Sequence, residues 1–140
     1  MSRFFRHLLL PGFIGLVIFV LTCLLTPNEI PEMPDIIPWD KLAHFGMFFV
    51  LSVVCYYDYF QLNDGNVRKS RWIFWGFVIP VLYGASIELL QKYVFTGRSA
   101  DIVDFLSDMI GSIVASILSI YMLNRKQKAK KSLPLQQNLR

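Results

Sequence analysis

With 140 residues, of which 54% are hydrophobic and only 17% charged, the chain carries too little charge for a soluble domain of its length. The net charge of +4 does not point to nucleic acid, because much of it comes from Arg125, Lys126, Lys128, Lys130, Lys131 and Arg140, with no interleaved aromatics to stack bases. A basic run directly after an apolar one instead matches a cytoplasmic anchor attracted to anionic lipid.

Apolar residues fall in runs of about 20, the length that crosses a hydrocarbon core of about 30 Å. The first run covers about residues 8–25, uncharged, with Arg3 and Arg6 before it. It has the basic start of a signal peptide. However, no small-x-small cleavage pattern follows, and Leu21-Thr22-Cys23 lacks the small residue a lipoprotein site needs, so the run reads as a retained helix. Residues 26–39 hold Pro27, Pro31, Pro34 and Pro38 with three acids and no basic residue, which predicts an extended loop.

The second run, about 40–60, ends in Tyr56, Tyr57 and Tyr59, an interfacial belt. The turn Asn63-Asp64-Gly65-Asn66 and the basic residues Arg68, Lys69 and Arg71 lead into the third, about 72–93, where Pro80 predicts a kink. A short connection with Gly97 and Arg98 precedes the fourth, about 101–123, and residues 126–140 read as a basic, disordered tail. Cys23 and Cys55 each sit within an apolar run without CxxC spacing. They read as reduced, buried small hydrophobes, with a disulfide between them left open. The expected fold is therefore all-α: a single domain over residues 1–125, an integral membrane four-helix bundle. The lysine and arginine distribution places both termini in the cytoplasm and the first and third loops outside.

That topology gathers the polar residues of three runs at the outer surface. Asp40, Lys41 and His44 share a face of the second helix, and Glu88 and Gln91 share a face of the third. Asp101, Asp104 and Asp108 follow i, i+3, i+7 spacing, continued by the small residues Gly111 and Ala115, which lets helices approach closely and turns the acidic stripe inward. Asp101 also suits an N-cap, where the helix dipole favours negative charge, but neither Asp108 nor Glu88 is explained that way.

The ordered set Asp-Lys-x-x-His-Phe (Asp40, Lys41, His44, Phe45), Glu-x-x-Gln (Glu88, Gln91), then Arg98 followed by Asp101, Asp104 and Gly111 resembles the VanZ-like family over residues 40–115. The family's namesake is associated with teicoplanin resistance, so the resemblance implies a multi-pass protein of the bacterial cytoplasmic membrane and cell envelope. It brings no settled reaction. One departure is Asp108, which stands where the family pattern Asp-x-x-x-Asn-x-x-Gly would have Asn.

Ionisable groups within a membrane are costly and mark functional sites by default. A purely structural network, with Arg98 and Lys41 neutralising Asp104 and Glu88, is the plainer alternative. As an enzyme, the protein would use His44 as general acid or base with Glu88 or Asp104. Lys41 and Arg98 would hold a phosphate or carboxylate, and Asp40, Gln91, Asp101 and Asp108 would complete the pocket. No serine or cysteine stands in a nucleophile motif. A metal variant would use His44 with Asp40, Glu88, Asp101 or Asp104 and suit Mg or Mn better than a structural zinc, but no spacing is diagnostic, and the cofactor is left open. The expected partners are the bilayer and an envelope lipid or peptidoglycan precursor, with no nucleic acid and with oligomerisation left open. A lipid-binding or masking protein and a proton-coupled transporter are the remaining readings, the latter weakened by the absence of an inverted repeat.

Overall fold

The structure, a computed structural model, describes residues 3–24, 39–95 and 101–137, and among these it is all-helical, with no strand. Helix α1 (Arg3–Phe19) ends in a π-helical turn, Val20–Leu24. Helix α2 is Trp39–Leu62. Helices α3 (Lys69–Ile73) and α4 (Ile79–Tyr93) are joined by the π-helical turn Phe74–Val78 into one continuous span, and α5 is Ile102–Gln137. Four stretches, His7–Leu24, Trp39–Leu62, Lys69–Tyr93 and Ile102–Ala129, are long and apolar enough to cross a membrane. The proline-rich loop and the Gly97–Arg98 connection lie outside the described residues.

Two details differ from the pattern read off the chain. The break expected at Pro80 takes the form of a change in winding just before it. Proline has no N–H to offer the carbonyl four residues back, at Gly76, and the π turn occupies that stretch. Secondly, α5 does not stop near Leu123 but continues to Gln137. Residues 124–133 contain no glycine or proline and are rich in Arg, Lys, Gln and Ala, all strong helix formers. Between α2 and α3 the chain turns tightly, with Asp64 and Gly65 both at positive φ and the Gly65 N–H bonded to the Phe60 carbonyl at 3.0 Å.

Helix α2 is the hub, packing along α5 and against α1, the π turn before α4, and α4 itself. Phe48 and Leu51 meet Ile18, Cys23 and Ile87 in one apolar cluster, and no disulfide joins Cys23 to Cys55. A second cluster, Tyr56, Trp72 and Leu123, closes the other half. There Trp72 Nε1 donates to the Tyr56 carbonyl at 3.0 Å, and the Tyr56 hydroxyl donates to Ser116 Oγ at 2.8 Å. Trp72→Phe keeps most of the apolar area but removes the indole donor. Unfolding in mixed micelles is expected to show a loss of about 1 kcal/mol. An unchanged midpoint would mean the bond contributes nothing. The outward faces carry Leu9, Leu16, Leu42, Leu82, Ile102 and Ile117, all exposed, a coat suited to lipid.

Candidate functional site

The first turns of α2 place Asp40, Lys41 and His44 along one face, and the start of α5 lies against them. Lys41 is the centre of the outermost layer. Its ammonium lies 2.8 Å from Asp101 Oδ2, 2.5 Å from Asp104 Oδ1 and 3.2 Å from Asp40 Oδ2. Asp101 sits just before α5, outside the membrane-spanning stretches. The Lys41 ammonium, helped by the Val103 N–H, holds its carboxyl below the usual carboxylate range. That N–H donates to Asp101 Oδ1 at 2.8 Å, so Asp101 is the helix cap as well as an ion-pair partner.

One turn deeper, His44 is buried and bridges two carboxylates of α5. Its Nδ1 is 2.9 Å from Asp108 Oδ1, and its Nε2 is 4.0 Å from Asp104 Oδ2. Asp108 has no exposed surface. From α4, Glu88 reaches the same place. Its Oε2 accepts the Asp101 N–H at 3.0 Å, so this side chain also satisfies the open start of α5. Glu88 Oε1 and Asp108 Oδ2 are buried and have no hydrogen-bond partner among the described residues. Gly84 makes the approach of α4 feasible: a Cβ there would come 3.0 Å from Asp108 Oδ2 and 3.1 Å from the Phe48 ring.

The structure thus brings Asp40, Lys41, His44, Glu88, Asp101, Asp104 and Asp108 into one constellation. Gln91 stands apart. Its Nε2 donates to the Thr22 carbonyl at 2.7 Å, tying α4 to the π turn that ends α1, while Thr22 Oγ1 bonds the Ile18 carbonyl. Gln91→Leu is expected to lower stability by about 1 kcal/mol through that buried carbonyl while leaving the His44 geometry in place, a difference that micelle unfolding would detect. Arg98 lies outside the described residues.

Nothing in the reading of the chain singled out a second histidine–carboxylate pair, His7 Nδ1 to Asp58 Oδ1 at 3.6 Å. It borders a cavity of about 170 Å³ with Pro11, Cys55 and Trp75. Asp58 is 14 residues beyond His44, roughly 21 Å along the axis of α2, so this pair belongs to the other end of the bundle. The available signal was that Asp58 is the sole charged residue in the second half of that run.

The described charges do not balance. Five carboxylates, Asp40, Glu88, Asp101, Asp104 and Asp108, face one ammonium and one imidazole. Lys41 compensates the outer layer, while among the described residues no Lys or Arg contacts the inner layer of His44, Glu88 and Asp108. Such an arrangement can exchange protons between neighbouring groups or receive a cation.

A family model described as VanZ/LLP1 matches residues 7–124. The chain is also 29% identical over 87 residues to an uncharacterized protein of Schizosaccharomyces pombe, a match covering 62% of this chain and 50% of the relative. The chain therefore spans about half the length of this curated relative. No solved structure matches.

Proposed function

The chain belongs to the VanZ/LLP1 family, and we propose that it is a cytoplasmic-membrane protein of the cell envelope whose polar pocket acts on an envelope lipid or lipid-linked peptidoglycan precursor, lowering susceptibility to teicoplanin. The observation that carries this reading is the buried His44 held at 2.9 Å by Asp108 with Glu88 alongside. In this reading Asp108 accepts the Nδ1 proton and fixes the tautomer, which leaves Nε2 to take a proton from a bound group. Lys41, held by Asp40, Asp101 and Asp104, supplies the one fixed positive charge of the described pocket and sets the shape of its outer rim. The lysine and arginine distribution supports cytoplasmic termini, which turns the pocket to the outer leaflet, where such precursors are displayed.

Teicoplanin susceptibility of cells expressing the parent chain or Glu88→Gln, at matched membrane levels, tests this. Protection by the parent alone is expected. Equal protection by both would separate the pocket from the phenotype, and protection by neither would remove the resistance function from this chain.

One observation favours a second reading, proton-coupled transport. The polar stripe of α5 continues inward from Asp104 and Asp108 through Ser112, buried, and Ser116, which bonds Tyr56. Proton-coupled flux in liposomes carrying the purified protein, lost in Asp108→Asn, is the result expected of it; absence of such flux would exclude it.

A further inference from the structure

We propose that His44, Glu88 and Asp108 form a binding site for one divalent first-row transition-metal ion. One ligand atom from each lies within 4.8 Å of the other two, and all three side chains are buried. Three donors bound to one ion at about 2.0–2.2 Å stand at most roughly 3.6 Å from one another, so side-chain movements of about an ångström close the set.

Clustered acids alone would not carry this. The second observation is that Glu88 Oε1 and Asp108 Oδ2 are buried without a hydrogen-bond partner among the described residues, at the place where the three side chains converge. With no Lys or Arg of the described residues in contact with them, these two carboxylates are expensive at that depth, and a single divalent ion with neutral imidazole cancels them. Gly84 keeps the space open, because a Cβ there would press against Asp108 Oδ2.

A competing triad, Asp40, His44 and Asp104, is geometrically feasible as well. Its carboxylates already face the Lys41 ammonium, which repels a second cation, and Asp40 is exposed. The inner triad is therefore the one with unspent acceptor capacity. The donor chemistry narrows the ion. Magnesium and calcium favour all-oxygen shells, and no thiolate is present in the set, whereas one imidazole with two carboxylates suits manganese, iron or zinc.

The inference rests on reading the pocket as functional, but its test is independent of teicoplanin. The full chain, purified in detergent and stripped with chelator, is loaded with Mn(II) or Zn(II) alone and desalted, and metal per chain is measured by mass spectrometry, with manganese binding followed by electron paramagnetic resonance. About one equivalent is expected for the parent and for Asp58→Asn. A tenfold or greater loss of affinity is expected for Glu88→Gln and for Gly84→Ala, each checked for helical content and monodispersity. Absence of bound metal in the parent chain would overturn the proposal. So would retention in Glu88→Gln together with loss in Asp40→Asn, which would move the ion to the outer triad. A chain that binds metal without protecting cells fails only the proposed function, and one that protects without binding fails only this inference.

Discussion

Gly111→Ala is expected to destabilise the protein by about 1–3 kcal/mol, although alanine is the better helix former by about 1 kcal/mol. The sign is set by what the added methyl meets. At position 111 it would overlap the Phe45 carbonyl oxygen and crowd the Phe49 N–H, both backbone atoms of α2 that no rotamer change can clear. The α2–α5 contact is also the most extensive helix pairing in the bundle, and it holds His44 against Asp108. The helices must therefore separate locally, and the histidine pair loosens with them. Gly46→Ala is the matched control, because beyond its own helix backbone no described atom lies within 4 Å of a Cβ there. It is expected to be neutral or to stabilise by up to about 1 kcal/mol. Detergent-titrated unfolding of the three proteins measures both effects, and equal midpoints for Gly111→Ala and Gly46→Ala would refute the close approach at Gly111.

The four spans were legible because a bilayer demands long apolar runs, and Leu8 to Leu24 or Ile102 to Leu123 satisfy that demand by composition alone. The inward turn of Asp101, Asp104 and Asp108 was legible too, since their spacing and the small residues Gly111 and Ala115 mark one face. Pairing across helices was not. Helical periodicity gives the face a side chain occupies but not the axial register between two helices. Reading from the chain, His44 would partner Glu88 or Asp104, and Arg98 and Lys41 would neutralise Asp104 and Glu88, of which the Lys41–Asp104 contact is present. In the structure Asp108 holds His44, Lys41 gathers the three outer aspartates, and Glu88 bonds a backbone N–H of the α5 entry. Gln91 was assigned to the pocket because it shares a face with Glu88. Its actual partner, the Thr22 carbonyl, lies on a π turn 69 residues away that no local pattern announces. The continuation of α5 was missed for the opposite reason. Charge between residues 125 and 131 was given more weight than the helix propensity of the same lysines and arginines.

His44→Ala and Asp108→Ala are each expected to cost about 3–5 kcal/mol, and the double variant less than their sum by about 1–3 kcal/mol. The two single changes are not equivalent. Removing His44 leaves the Asp108 carboxylate with neither oxygen partnered among the described residues and no exposed surface through which water could compensate. Removing Asp108 leaves an imidazole that can stay neutral and still has Asp104 at 4.0 Å. His44→Ala should therefore be the more damaging of the pair. Asp108→Asn separates charge from geometry, because its carbonyl oxygen can still accept the Nδ1 proton. It is expected to fold nearly as well as the parent while losing metal affinity. Unfolding in mixed micelles across the four proteins of the cycle gives the coupling energy directly. Additivity within about 0.5 kcal/mol would mean that the 2.9 Å contact is not an energetic pair. Strong coupling has a further consequence. Since the double variant removes the buried charge together with its partner, it should lose less stability than the two single changes added together. A double variant that is folded yet inactive would then show that these two residues serve the pocket's activity and not merely the assembly of its helices.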